Sequence, residues 1–438
     1  MSIFRSYDIR GIYGKDIDEA IMKRIGAAFS AVSTDIIAVA SDMRISSESL
    51  KNALISGCKS VIDCGCVPLG IGMLHTLGKY DYAYITASHL PKEWNGVKFF
   101  HKNGIGFHET ENKKIEKIFS ETVASYVNKP KIKKENPKTL AYNYRKYVIS
   151  KVKPEKKLHV VIDCGNGMAS GVAKQIFTDA GFRAETIFDS LDGTFPNRAS
   201  DPNEDPLQAL RNKTASADIG IAYDGDADRM VLVDDAGRKL TPEQTSYLIM
   251  LGAAKENGPL IANIECTRII DDIAKKFGKK VVRVPVGHTF LMNAVMQHKA
   301  CFGVESAAHY ALPSMAPFDD SLMVSVFAAT VLSKQEEKLS DIVNKLKIYP
   351  FERVNFECSD TKKFIVVEKL KQKLSKEYKN VTTIDGVRVD FHEGWILVRA
   401  SNTSPFVRLT AEAEDKKTLD KLKEKFSRAL KEEIEKQK

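Results

Sequence analysis

One pattern constrains this chain more than any other. An apolar run, a short polar loop and an amphipathic helix ending at or beside a glycine recur three times, in residues 36–57 (IIAVASDMRISSESLKNALISG), 159–181 (HVVIDCGNGMASGVAKQIFTDAG) and 259–278 (PLIANIECTRIIDDIAKKFG). Continuous apolar strands alternating with helices are the signature of parallel α/β sheets, buried on both faces. Each unit is followed by a second apolar run that stops in a polar loop: YAYITASH at 82–89, ADIGIAYDGDADR at 217–229 and ACFGVESAAH at 300–309. Ligands of open α/β sheets sit beyond the carboxyl ends of the strands, so these three loops are where chemistry is expected.

The repeat predicts three similar α/β domains with mixed, mostly parallel sheets, and 438 residues leave room for a fourth. The break points fall at the lysine- and proline-rich stretch NKPKIKKENPK (128–138), after the turn DDAGRKLTP (234–242) and near KIYPFERV (347–354). They divide the chain into 1–134, 135–235, 236–347 and 348–438. The last segment alternates apolar and polar residues in GWILVRASNTSPFVRLTAEA and closes with a charged helix from Lys416, an α+β pattern unlike the other three.

Composition narrows the class. A hydrophobic share of 43% with 28% charged residues is that of a folded protein. No apolar run reaches the 18 residues of a membrane span, and MSIFRSYDIRG has no signal-peptide core, so a cytoplasmic protein with no membrane partner is expected. Seven cysteines, an odd number without a CxxC pair, read as reduced thiols. The net charge of +9 is a small excess of 66 basic over 57 acidic residues, which argues against nucleic acid and is compatible with small anionic substrates. The lysines at 129–138 and in the last twenty residues read as a solvated linker and a helix face.

Four short stretches carry chemistry. In TASHLP, Ser88 follows an apolar strand and precedes a proline, which holds its hydroxyl on a turn, and His89 and Lys98 supply a base and a cation nearby. In DGDADR, Asp224, Asp226 and Asp228 alternate so that a curled loop turns them onto one hard cation, with oxygen-only ligands favouring magnesium. An EF-hand is excluded by Arg229 at the sixth position, where glycine is needed, and by a preceding strand in place of a helix. Arg229 beside three carboxylates points to a phosphate as well as a metal. DCGNGMASG has glycines at 165, 167 and 171 with the wrong spacing for a dinucleotide loop; a tight strand-to-helix turn accounts for them. In RASNTSP, Arg399, Ser401, Asn402 and Thr403 form a set of donors suited to gripping a phosphate, although an ordinary turn would accept the last three equally well.

Taken together and in order, YDIRG at 7–11, TASHLPKEWNGVKF at 86–99, DGDADR at 224–229, VESAAH at 304–309 and RASNTSP at 399–405 resemble the motifs of the α-D-phosphohexomutase family, which includes phosphomannomutase and phosphoglucomutase. The resemblance implies four domains around a central cleft and an exchange between sugar 1-phosphate and 6-phosphate, of mannose or glucose, through a phosphorylated Ser88 and a sugar 1,6-bisphosphate. It implies one Mg2+ on Asp224, Asp226, Asp228 and a Ser88 phosphate oxygen, with the bisphosphate as activator. Arg10, His89, Lys98 and Arg229 would surround the transferring group, His89 or Lys98 moving the proton. Glu305 would read ring hydroxyls, with His309 and His288 near the substrate, and Arg399, Ser401, Asn402 and Thr403 would hold the distal phosphate. A monomer or homodimer is expected.

The chain departs from the family pattern at three places. Leu90 replaces the Asn of TASHNP; Ala307 and Ala308 replace the Ser and Gly of GExSGH; and Glu265 stands where some relatives have lysine. A lost hydroxyl at the sugar loop removes a hydrogen bond of about 1 kcal/mol, for which Ser306 is positioned to compensate. Phosphoglucosamine mutase and phosphopentomutase are therefore close alternatives, and a sugar-phosphate binding protein without turnover is a more distant one.

Overall fold

The computed structural model describes residues 3–5, 7–121, 129–401 and 405–437. Four sheets follow one another along the chain. The first has six strands in the order Asp8–Ile12, Trp94–Phe100, Asp81–Ile85, Ile37–Ser41, Ser60–Cys66 and Lys131–Lys134. Its central strands pair in parallel, while Trp94–Phe100 runs antiparallel to both neighbours. Ile37–Ser41 and Asp81–Ile85 are buried throughout, as unbroken apolar strands must be when helices cover both faces. Helices Glu19–Val32 and Ser47–Gly57 meet so closely that a side chain at Gly57 would lie 2.0 Å from the Lys23 carbonyl. Gly57 therefore serves helix packing as well as ending its repeat unit.

The lysine-rich stretch expected as a linker instead contributes an edge strand. Lys131–Lys134 pairs with Ser60–Asp63, with all four side chains exposed. Pairing to an existing strand overrides the weak local propensity of lysine, and a row of charges keeps the sheet edge from recruiting another chain.

The second sheet (Met230–Asp234, Ile219–Tyr223, His159–Asp163, Arg183–Ile187) and the third (Val281–Val284, Leu260–Asn263, Phe302–Val304, Tyr310–Ala311) are each parallel apart from one antiparallel edge strand. One apolar core runs from Ala38 in the first sheet through Tyr223 and Phe302 to Tyr349, so the first three modules are cemented together. Helix Ser321–Ser333, buried almost all round, is the common wall: Ser325 Oγ lies 2.5 Å from the Tyr223 hydroxyl, and the Tyr144 hydroxyl donates to Asp320 at 2.6 Å.

The fourth sheet is wholly antiparallel (Phe351–Glu357, Phe406–Ala413, Gly394–Ala400, Val387–Phe391, Val381–Thr382) and is covered by helices Lys363–Glu377 and Lys416–Lys436. Its core is separate from the large one. A patch of Ile264, Trp395 and Leu397 joins it to the third module.

Candidate active site

Ser88 closes the strand Asp81–Ile85 with a left-handed backbone, φ 51°, which an L side chain rarely adopts. The loop is held in that shape from outside. Arg44, buried beyond the strand Ile37–Ser41, donates to the carbonyls of Ser88, Leu90, Pro91 and Trp94 at 2.6–3.1 Å, and Asp42 balances its charge at 3.2 Å. The Ser88 amide donates to Thr86 Oγ1 at 2.8 Å, and Thr86 Oγ1 donates to Asp42 at 2.7 Å. From the second module, Ser200 donates to the His89 carbonyl at 2.6 Å. The position of Ser88 is thus set by hydrogen bonds with Arg44, Thr86 and Ser200 around its loop.

The Ser88 hydroxyl donates to Asp224 Oδ2 at 3.0 Å, across the junction between the first two modules. Asp224, Asp226 and Asp228 are all buried, on the turn between the antiparallel strands Ile219–Tyr223 and Met230–Asp234. Gly167 lets a neighbouring loop approach this turn, since a side chain there would lie 2.9 Å from the Gly225 carbonyl and 3.0 Å from that of Asp224. Within DCGNGMASG, Gly165 and Gly167 accordingly serve packing, whereas Gly171, with φ 70° and open space around it, serves the turn. Lys98 reaches in from Trp94–Phe100 to hold Asp226 at 2.9 Å and Asp228 at 2.6 Å. One ammonium does not neutralise three carboxylates. Burial and repulsion from Asp228 and Asp226 push the Asp224 carboxyl far above its ordinary range, and one oxygen each of Asp226 and Asp228 is buried without a hydrogen-bond partner. Ligand atoms of all three lie within 4.8 Å of one another. A hard divalent cation fits this donor set.

Arg229, next in sequence, turns away from the carboxylates: its Nε donates to His309 Nε2 at 2.8 Å, and Asp201 lies 3.9 Å from it. Because His309 Nε2 accepts from Arg229, the ring proton lies on Nδ1, which is 3.0 Å from Asp319. His288 stacks on that ring, with centroids 5.7 Å apart, and burial lowers its pKa to about 4. His89 Nδ1 is 3.4 Å from Ser88 Oγ, and burial together with Arg229 and Arg10 pushes its pKa well below the ordinary value. Lys98 moves the opposite way: Asp226 and Asp228 outweigh its burial and raise its pKa. That favours a fixed charge over a proton carrier.

The sugar loop folds tightly, with the Glu305 amide donating to the His309 carbonyl at 3.0 Å and Ala308 in the left-handed region at φ 67°. Glu305 accepts from the Gly287 amide at 2.5 Å. Ser306 does not fill the place of the missing serine. It faces away from the loop's interior and donates to Glu265 at 3.1 Å, while Asn263 lies 3.3 Å from it, because alternate residues of a tight turn point to opposite sides. Around one cavity of about 100 Å³ the structure brings together Arg10, His89, Lys98, Arg229, Glu305 and His309, with His288 and Tyr7 at its wall. Arg10 is paired with Asp8 at 2.6 Å. Arg399 pairs with Asp385 at 3.3 Å on the fourth module and acts electrostatically on Tyr7. Ser401 is buried beside it, and Asn402 and Thr403 lie outside the described residues.

Sequence reading missed Arg44, Asp42, Ser200, Asp201 and Asp319. Asp319 had a faint signal in the DDS run that caps helix Ser321–Ser333, whereas a lone Arg44 in a polar loop had none.

Comparison with known proteins agrees with this architecture. Models of the phosphoglucomutase/phosphomannomutase family match residues 1–125 (alpha/beta/alpha domain I), 142–237 (domain II), 241–349 (domain III) and 354–429 (C-terminal domain). The chain is 31% identical to a probable phosphoglucosamine mutase of Methanothermobacter thermautotrophicus, covering 94% of each chain. It is also 31% identical to a phosphomannomutase/phosphoglucomutase of Pseudomonas putida, covering 98% of this chain and 95% of that one. A crystal structure of a phosphoglucomutase/phosphomannomutase family protein from Burkholderia thailandensis superposes with a TM-score of 0.86 at 26% identity over 98% and 97% of the two chains. These matches span the chain from end to end, and it belongs to the phosphoglucomutase/phosphomannomutase family, the α-D-phosphohexomutases, as an enzyme of that class.

Proposed function

We propose that this enzyme interconverts sugar 1-phosphates and sugar 6-phosphates, with mannose or glucose as the sugar, by carrying the phosphoryl group on Ser88. The observation that supports it most is the Ser88 hydroxyl, locked by Arg44 and directed at the acidic loop beside a cavity lined by Arg10, Lys98 and Arg229. A magnesium ion held by Asp224, Asp226, Asp228 and a Ser88 phosphate oxygen would supply charge neutralisation during transfer.

The remaining work falls to the chain itself. Glu305 orients the ring through its hydroxyls, and Arg399 with Ser401 holds the phosphate that is not reacting. His309, oriented by Asp319, accepts the proton of the attacking sugar hydroxyl once Arg229 moves from its Nε2 onto the transferring group. The bond from phosphorus to Ser88 Oγ breaks as that to the sugar oxygen forms, and Ser88 Oγ recovers a proton. The bisphosphate then turns end for end, and its other phosphoryl group returns to Ser88 by the same steps reversed. Sugar 1,6-bisphosphate recharges a Ser88 that has lost its phosphate. The cavity of about 100 Å³, below the roughly 300 Å³ usual for ligand sites, is lined by residues of the first three modules.

A second sugar has a specific observation behind it. With Ala307 lacking a hydroxyl and Ser306 turned away, Glu305 is left as the carboxylate reading the ring, and it accepts from an ammonium as well as from a hydroxyl. Glucosamine phosphate therefore belongs in the test. Turnover of the 1-phosphates of mannose, glucose, glucosamine and ribose is measured with magnesium and bisphosphate, alongside mass spectrometry of the Ser88 peptide. Stoichiometric phosphate on Ser88 and turnover of one of these sugars are expected. An unmodified Ser88 after exposure to bisphosphate, with no turnover, would leave only a binding protein.

A further inference from the structure

Glu265 follows the strand Leu260–Asn263 and is 3% exposed, at the junction of the third and fourth modules. Both its oxygens are engaged. Ser306 of the sugar loop donates to Oε2 at 3.1 Å, and Thr410 of the fourth module donates to Oε1 at 3.2 Å. Around Oε1 gather Arg353 at 3.5 Å and Arg408 at 3.8 Å, and Arg399 adds its field. These arginines hold Glu265 below the ordinary carboxyl range against the cost of burial, so it stays ionised at neutral pH. A second carboxylate, Asp385, lies 3.3 Å from Arg399 and also accepts from the Val286 amide of the third module at 3.0 Å. The cluster thus sets three guanidiniums against two carboxylates.

A site meant only to grip a phosphate would leave its arginines free. Here a buried carboxylate, placed by the third module and hydrogen-bonded to Ser306, pairs with the two arginines beside Arg399 and adds its charge to Arg399, which Asp385 pairs directly. We propose that Glu265 is a specificity-determining positioning residue: an internal counter-anion that holds Arg353 and Arg408 in place and weakens the grip of the Arg399 end on the phosphate that is not being transferred. This rests on the reading that Arg399 serves that phosphate. A weakened grip matters because the bisphosphate has to leave and turn within each cycle; a phosphate bound too tightly lowers KM and kcat together. Its link to Ser306 makes the sugar loop and the phosphate end respond to one carboxylate.

The test uses inorganic phosphate as the probe, by titration calorimetry on the full chain at low salt. Glu265→Gln keeps the shape and removes one negative charge, so phosphate is expected to bind about ten-fold tighter, with the gain shrinking as salt is added. Thr410→Val removes a hydrogen bond and no charge, and should bind phosphate as the wild type does. Adding Arg399→Ala to Glu265→Gln should abolish the gain. An unfolding midpoint for each variant shows that the comparison is between folded proteins, and Glu265→Asp is the fallback if Gln does not fold, expected to keep wild-type affinity. Unchanged or weaker phosphate binding in folded Glu265→Gln overturns the proposal, as does equal tightening in Thr410→Val. Phosphate binding needs no turnover, so an inactive enzyme with the predicted affinities would sink the mutase reading alone, and an active one with unchanged affinity would sink this one alone.

Discussion

Where the first and second modules meet, the contacts are short, buried and polar. Ser88 reaches Asp224, Lys98 reaches Asp226 and Asp228, Ser200 holds the His89 carbonyl, and a continuous apolar core lies behind them. Where the third and fourth meet, three apolar residues are supplemented by polar contacts of mixed exposure: Arg268 with Glu414, each about a third exposed, the buried Glu265 with Arg353, and the buried Arg388 donating to the Ile264 carbonyl at 2.8 Å. Exposed ion pairs contribute little and rearrange easily, whereas a shared core does not. The difference lies in how much apolar core backs the polar contacts, large and continuous at the first joint and small at the second. The proposed transfer needs reacting atoms placed to a fraction of an ångström, which the joint with the larger core suits.

That contrast can be broken at several points. Removing the nucleophile should have the largest effect. Ser88→Ala is expected to lower kcat by about 10⁴-fold or more with the fold intact, read by steady-state rates beside an unfolding curve. Next comes the scaffold of the rigid end. Arg44→Gln leaves buried carbonyls unpaired and should cost about 3–5 kcal/mol of stability and roughly 10²-fold in kcat, checked by denaturant unfolding and kinetics; an unchanged kcat would mean that Arg44 is not what positions Ser88.

The joint with the smaller core should respond differently. Trp395→Ala empties the apolar patch at a cost of about 3–5 kcal/mol. Calorimetry is expected to resolve an early transition for the fourth module, with the first three unfolding as before and KM rising more than kcat falls. A single unshifted transition would show that the joint is as firm as the core. The smallest effect concerns pH. Glu412, which accepts from the Arg268 amide at 3.1 Å, has its pKa raised by burial to about 7. An acid whose folded pKa exceeds its unfolded value stabilises the fold at low pH and loses that contribution as pH rises through the folded value. Glu412→Gln should therefore gain stability relative to wild type between pH 5 and pH 8.5, with the two closest at pH 5.

The parts of this design that were legible in the sequence are those that repeat or violate a local rule. Unbroken apolar strands announced the α/β layers, and carboxylates at alternate positions announced the acidic loop, because both patterns are written in neighbouring residues. What was hidden depends on contacts between distant segments. Arg44 serves a loop more than forty residues away, His309 accepts from an Arg229 eighty residues away, and Ser306 is bonded to Glu265 about forty residues back. The edge strand Lys131–Lys134 was hidden for the same reason, since its partner decides its conformation.

Ser88 sits in a backbone conformation that glycine adopts freely and serine does not, a difference of about 1 kcal/mol. Ser88→Gly should accordingly relax the loop and make the protein harder to unfold while removing the atom that carries phosphate. A search for sturdier variants guided by melting temperature alone would be drawn to this position and would return an inert protein. The same backbone angle that costs the fold a little stability is the one that points the Ser88 hydroxyl at Asp224.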